Sequence, residues 1–141
     1  MKSKLIYLGC PYSDNSKVVM TNRYLQATRV AQDLTAAGFI VFSPITHSHR
    51  LWLEGTNSNE GGMQVKSWDF WKHLDIPILS ICQLMIVYQL PGWKESVGLT
   101  AEIEYAGQLG LPILYLPKVW SALVGEMMVE YDGKGELRVR V

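Results

Sequence analysis

At 141 residues the chain is long enough for one domain that buries roughly two thirds of its surface. Thirteen basic and thirteen acidic side chains cancel, so the sequence lacks the basic footprint that a nucleic-acid polymer or an anionic membrane surface requires. Two cysteines make no secreted disulfide framework, no apolar run approaches the roughly 20 residues of a membrane span, and the first residues enter a strand with no signal-peptide core, so composition predicts a soluble, cytoplasmic protein.

Leu5-Ile-Tyr-Leu8 is an apolar run that reads as a strand, ended by the turn Gly9-Cys-Pro-Tyr-Ser13. Asp14 and Asn15 are candidate caps for a helix over 16–37, with Val19, Tyr24, Ala27, Val30, Ala31 and Leu34 on its buried stripe and Gly38 closing it. Phe39-Ile-Val-Phe42 is a second strand, and the spacing between the two predicts a parallel, right-handed crossover. Residues 43–62 read as a long irregular stretch, a binding loop or lid with glycine-rich mobility over 55–62. A mostly helical segment over 63–82 follows; Asp75 before Ile76-Pro77 predicts a cap and a kink there.

Leu84-Met-Ile-Val-Tyr88 is a third, buried strand. Pro91 and Gly92 break it, Ser96 can cap a helix that Gly110 stops, and Leu99, Ile103, Ala106 and Leu109 form that helix's buried stripe. Glu102 then lies at the edge of the stripe, one turn after Gly98, whose missing side chain leaves space for it. Ile113-Leu-Tyr-Leu116 is a fourth strand, Pro117 and Lys118 start a short helix to about 124, and 127–141 reads as a hairpin turning at Asp132-Gly-Lys-Gly135 or, equally, as supplying a fifth sheet strand. The fold class is α/β: a single three-layer domain over 1–141, flavodoxin- or Rossmann-like, with a parallel sheet of four to five strands in order 2-1-3-4.

In such a sheet ligands bind at the carboxyl ends of the strands. Three loops meet there. They bring Gly9, Cys10, Pro11, Tyr12 and Ser13; Ser43, Thr46, His47, His49 and Trp52; and Trp93, Lys94, Ser96 and the helix bearing Glu102. The Ser96 helix N-terminus, with free amides at Val97 and Gly98 and a lysine nearby, reads as a candidate anion site or, on this feature alone, as an ordinary capped helix with no ligand. His47 and His49 are a weak metal signal, better suited to substrate hydrogen bonding, and no metal or cofactor is expected; Cys10 has no histidine beside it in sequence and reads as a buried bystander. Two acids on different elements, Glu102 and Asp75, in an aromatic-rich cleft suit glycosidic chemistry.

The segment Glu95-Ser-Val-Gly-Leu-Thr-Ala-Glu-Ile-Glu-Tyr-Ala106 resembles the D-x-G-x-x-x-E-x-G-x-A signature of the nucleoside 2-deoxyribosyltransferase superfamily. Ile6-Tyr-Leu-Gly-Cys-Pro-Tyr12 resembles that family's first strand and loop, and Asp75, eight residues before Gln83, its aspartate ahead of the third strand. The segment Ser43-Pro-Ile-Thr-His-Ser-His49 resembles a bacterial and phage branch of the superfamily. The resemblance implies a homo-oligomer whose subunits share active sites, acting on a nucleoside or nucleotide. It implies Glu102 as nucleophile, Tyr7 holding its carboxylate, and Asp75 exchanging a proton with the base. Serine at position 96 is the residue that the related nucleoside 5′-monophosphate N-glycosidases use to bind phosphate; the transferases carry aspartate. The expected function is cleavage of an N-glycosidic bond, by transfer or hydrolysis. Gln83 and Glu104 replace a common aspartate and the usual glycine, which keeps a non-catalytic nucleotide-binding or sensing module as the alternative; metal-dependent hydrolysis through His47 and His49 is a third reading.

Overall fold

The computed structural model describes residues 5–57, 68–118, 128–131 and 137–140. The chain runs β1 (Leu5–Gly9), α1 (Lys17–Ala36), β2 (Ile40–Phe42), α2 (Pro44–Asn57), α3 (Trp68–Ile81), β3 (Leu84–Gln89), α4 (Val97–Gln108), β4 (Ile113–Pro117), β5 (Met128–Tyr131) and β6 (Leu137–Arg140). β1 to β4 form one parallel sheet in the order β2-β1-β3-β4, as the strand spacing predicts. β5 and β6 pair antiparallel as a separate hairpin rather than adding a fifth strand to the sheet; its turn lies outside the described residues. Pro117, expected to start a short helix with Lys118, instead ends β4, and the rest of that expected helix, 119–124, lies outside the described residues.

The two-residue period of the strands sorts the core into two layers. Ile6 and Leu8 of β1, with Leu84, Ile86 and Tyr88 of β3, face Ala27, Val30 and Leu34 of α1 and Ile45 of α2. Tyr7, Met85 and Val87 face the opposite way, into a layer with Leu79 of α3 and Leu99 and Ala106 of α4. This alternation turns Tyr7, wholly buried, toward the helices that carry Asp75 and Glu102. Gly9 ends β1 where a Cβ would come within 2.7 Å of the Met85 methyl and 2.8 Å of a Leu99 methyl, so its bare backbone lets the first turn of α4 close onto the strand end.

Local caps follow the sequence with two shifts. α1 is capped by Ser16, whose Oγ accepts from the Val19 amide; Asp14, an expected cap, instead accepts from the Ser16 amide. Ser96 caps α4, its Oγ accepting from the Leu99 amide at 3.2 Å. Leu109 falls past the end of α4 and is 44% exposed, so it leaves the buried stripe to Leu99, Ala106 and, in part, Ile103.

The larger correction concerns residues 44–57, expected as loop and found as helix α2. Pro44 sits at the first helical position, where its fixed φ suits the helix and its missing N–H costs nothing. Ser43 precedes it, its Oγ accepting from the Thr46 amide and its carbonyl from the His47 amide. The glycine-rich residues 58–62 lie outside the described residues. α3 runs unbroken through Pro77, and Asp75 is a buried residue of its interior, not a cap: one proline removes one backbone hydrogen bond, which packing against α4 and the sheet outweighs.

Arg23 of α1 ties two strand-end loops together. Its guanidinium donates to the carbonyls of Tyr12 (3.2 Å) and Ser13 (3.0 Å) in the β1–α1 loop and of Pro91 (2.9 Å) after β3. Gly92, at φ +92°, takes the left-handed conformation that brings its own Cα within range of this guanidinium; a Cβ there would meet Nη2. Replacing Arg23 with alanine frees three carbonyls from a charged donor and is expected to lower stability by about 2 kcal/mol in a denaturant titration. Arg23→Lys should recover less than half, since one ammonium does not reproduce the fork.

Candidate active site

The carboxyl ends of β1, β2 and β3 open into one cavity of about 420 Å³. Four elements wall it. The β1–α1 loop gives Cys10, Tyr12 and Ser13; α2 gives Pro44, Ile45 and Ser48; α3 gives Trp68, Trp71 and Asp75; the approach to α4 and its first turns give Glu95, Ser96, Val97, Gly98, Leu99 and Glu102. The volume suits a small organic molecule with one or two rings.

Each acid is set there by its helix. Glu102 stands one turn after Gly98 and one residue off the line of Leu99 and Ala106, so it is carried under the protein surface with 6% exposure. Gly98 does more than leave room: a Cβ on it would lie 3.3 Å from the Trp68 ring, so its absence lets the indole rest against α4. Asp75 follows Trp68 and Trp71 at helical spacings of seven and four, which puts all three on one face of α3. Asp75 is 5% exposed.

Neither carboxyl is satisfied. Glu102 Oε2, Asp75 Oδ1, the Tyr7 hydroxyl and Ser48 Oγ are buried without a hydrogen-bond partner among the described residues. Burial pushes Glu102 up to about 8; the Tyr7 hydroxyl pulls it back down, and the Asp75 charge adds to the rise. The Tyr7 hydroxyl therefore faces the Glu102 carboxyl closely enough to perturb it, although the contact does not close as a hydrogen bond of good geometry. Asp75 is pushed up to about 7 by burial, and the Tyr7 phenol is held well above its usual range by burial and then by the two acids. The groups are close enough for the Asp75 charge to be felt at Glu102 and for both acids to be felt at Tyr7, although burial is the larger cause throughout.

The other expected site residues divide. Cys10, Tyr12, Ser13, Ser96 and Gly98 line the cavity with the two acids. Cys10 is buried, its thiol donating to the Pro11 carbonyl and held strongly toward the neutral form by desolvation. Gly9 and Pro11 lie buried behind the wall. The two histidines separate. His47 is exposed and leans on Phe42, whereas His49 is buried toward α1, stacked on Tyr24 at 4.1 Å and bonded through Nδ1 to the Tyr12 hydroxyl at 2.7 Å. Burial lowers the His49 pKa, which keeps it neutral. His49 thus orients Tyr12 and does not enter the cavity. Among the described residues no group of three or more His, Cys, Asp or Glu could hold a metal ion. Trp93 packs on Tyr115 and carries Lys94 over its ring, and neither lines the cavity; Glu95 does. The Trp52 side chain lies outside the described residues. Gln83 Oε1 accepts from the Leu5 amide at the sheet edge, and Glu104 is exposed, so both departures from the resembling signature have places outside the cavity.

Sequence reasoning missed Ser48, Trp68, Trp71 and Glu95 as cavity residues. The spacing of the tryptophans to Asp75 carried a usable signal; Ser48 carried none while its segment read as loop.

The protein is thus of the α/β class with a four-stranded parallel sheet flanked by helices, in the flavodoxin- and Rossmann-like manner, and an acid-floored cavity at its carboxyl edge. The chain belongs to the family described as a domain of unknown function, DUF1937, whose pattern matches residues 4–117 and so spans the sheet and every described cavity residue. No curated protein matches it. Among solved structures it is similar to a 2-deoxyribosyltransferase from the psychrotolerant bacterium Bacillus psychrosaccharolyticus, a biocatalyst for nucleoside synthesis. The TM-score is 0.54 at 17% identity, over 80% of this chain and 72% of that one, which shows a shared fold. Among the described residues no helix is long and apolar enough to cross a membrane.

Proposed function

We propose that this protein cleaves the N-glycosidic bond of a nucleoside or nucleoside 5′-monophosphate, with Glu102 as nucleophile. The observation that carries the reading is the buried Glu102 carboxyl on the cavity wall, one oxygen of it without a partner among the described residues, beside a second buried acid and the Tyr7 hydroxyl. Leaving such groups unsatisfied costs stability, which a site that meets them with substrate recovers on binding. The likeness to a 2-deoxyribosyltransferase supports the same reaction class.

The reactive state has Glu102 ionised and the proton on Asp75, the reverse of the order in the ligand-free protein, so it forms only as substrate and the Tyr7 hydroxyl favour the Glu102 carboxylate. In the first step a Glu102 carboxylate oxygen bonds to the anomeric carbon as the carbon–nitrogen bond breaks. The bonding pair goes to the base nitrogen, and the Asp75 carboxyl supplies a proton to the departing base. In the second step water or another base attacks the same carbon, the glycosyl ester breaks, Glu102 leaves as carboxylate, and Asp75 takes back a proton. Tyr7 donates toward Glu102 and favours its ionised form, the direction in which it moves that acid. Trp68 and Trp71 offer flat apolar faces to a base. Ser96 and the free amides of Val97 and Gly98 suit an anionic or hydroxyl-bearing end of the substrate.

Incubation with 2′-deoxynucleosides and their 5′-monophosphates, with and without a second base, and chromatography of the free base tests this. Base release that needs an acceptor base selects transfer, and release without one selects hydrolysis. Saturable binding with no turnover of any of them would instead support the nucleotide-binding module, and neither binding nor turnover removes both readings.

A further inference from the structure

Helix α2, unforeseen as a helix, presents two different faces. Thr46 Oγ1 lies 2.8 Å from Thr28 Oγ1 of α1, and His49 is clamped between Tyr24 and Tyr12. These contacts fix the rotation of α2 against α1. Pro44, Ile45 and Ser48, at helical spacings of one, three and four, are thereby turned to the cavity. This wall is apolar except for one group, the Ser48 hydroxyl. The residue is 8% exposed, and its Oγ is buried with no partner among the described residues. A serine inside a helix normally bonds back to a carbonyl of the preceding turn or reaches water; this one does neither. The residue lines the cavity while its hydroxyl is turned out of reach and has no partner, so a turn about the Cα–Cβ bond can bring that hydroxyl to a ligand atom at no cost in protein hydrogen bonds.

We infer that Ser48 is a specificity-determining residue that hydrogen-bonds a polar edge atom of the nucleobase, the ring lying along Pro44 and Ile45. The inference rests on the N-glycosidic reading above. A flat ring with polar atoms only at its rim fits this wall, because Pro44 and Ile45 offer it apolar surface and Ser48 one donor-acceptor point. A serine hydroxyl both donates and accepts, so it accommodates a ring carbonyl or an amino group.

The test is Ser48→Ala, which removes the hydroxyl and keeps a strong helix former. Binding of free adenine and thymine, and of 2′-deoxyadenosine and thymidine, is measured by titration calorimetry, with the melting temperature of the ligand-free protein alongside. The expected result is about tenfold weaker binding of at least one free base and of its nucleoside, with the ligand-free melting temperature unchanged or raised. Unchanged binding of both bases overturns the inference. So does weakening confined to the nucleosides, which would put the hydroxyl on the sugar, and so does a melting temperature lowered by several degrees, which would make the role structural. A wild-type protein that releases base while Ser48→Ala behaves identically leaves the N-glycosidic reading standing and removes only Ser48. A wild-type protein that neither binds nor cleaves removes both.

Discussion

Replacing Glu102 with glutamine is expected to reduce base release by about 10⁴-fold while nucleoside affinity stays within a few-fold of wild type. Glutamine fills the same buried volume and keeps one carbonyl oxygen for the Tyr7 hydroxyl, so the cavity walls stay as they are. What it lacks is the second anionic oxygen that forms and then releases the glycosyl ester. Asp75→Asn removes a proton donor and not the nucleophile, so its loss should be smaller, about 10²- to 10³-fold. The comparison between the two variants is the informative measurement, made on the same substrate by chromatography of released base. Glu102→Gln retaining a tenth or more of wild-type turnover would end the nucleophile assignment. Equal losses in the two variants would recast them as a single acid unit with no division of roles.

How much of this was legible in the sequence depended on which physical signal each element carried. The four strands were legible because each is a short apolar run that ends at a Gly or Pro or two residues before one (Gly9, Pro44, Pro91, Pro117), and their order followed from crossover spacing. Glu102 was legible because the period of α4 put it beside the stripe, one turn from Gly98. Helix α2 was not, since its inward residues include a single aliphatic, Ile45, among a proline, a serine, a threonine and a histidine. Beside the packing of Ile45, the helix is held by a hydroxyl pair and a stacked ring, so the usual apolar period is missing. Asp75 was seen in the right place for the wrong local reason: the proline two residues on suggested a cap, where tertiary packing keeps the helix continuous. The two histidines show the limit of spacing most clearly. Two residues apart on a helix they point to different surroundings, one to solvent and one to α1, which no loop reading could anticipate.

The second large effect is on stability. In the ligand-free protein, unfolding free energy is expected to fall as pH rises from 5 to 8.5, and the double variant Asp75→Asn/Glu102→Gln should flatten that fall. The sign comes from proton uptake. Burial raises Asp75 to about 7 and Glu102 to about 8, above the range that either has in an unfolded chain. Between about pH 4 and those values the folded protein holds protons that the unfolded chain has released, so its stability declines with pH and levels off above about 8. One acid moved by about three pH units accounts for on the order of 4 kcal/mol at full extent, a large share of a domain's typical 5–15 kcal/mol. The Asp75 charge adds to the rise at Glu102, so the two contributions do not simply add. His49 works in the opposite sense: burial lowers its pKa, so its charging destabilises the folded protein at the acid end, and that contribution disappears as pH rises past its ordinary value. The difference between wild type and double variant cancels it, because both keep His49. Denaturant titrations at half-unit steps should therefore show the double variant gaining on wild type steadily up to pH 8, where it is the more stable protein despite being inactive. A difference that does not change with pH would mean that the two acids ionise in the folded protein as they do in the unfolded chain. Their burial would then carry no electrostatic cost for a substrate to relieve, and the argument that this cavity is strained toward catalysis would lose its footing.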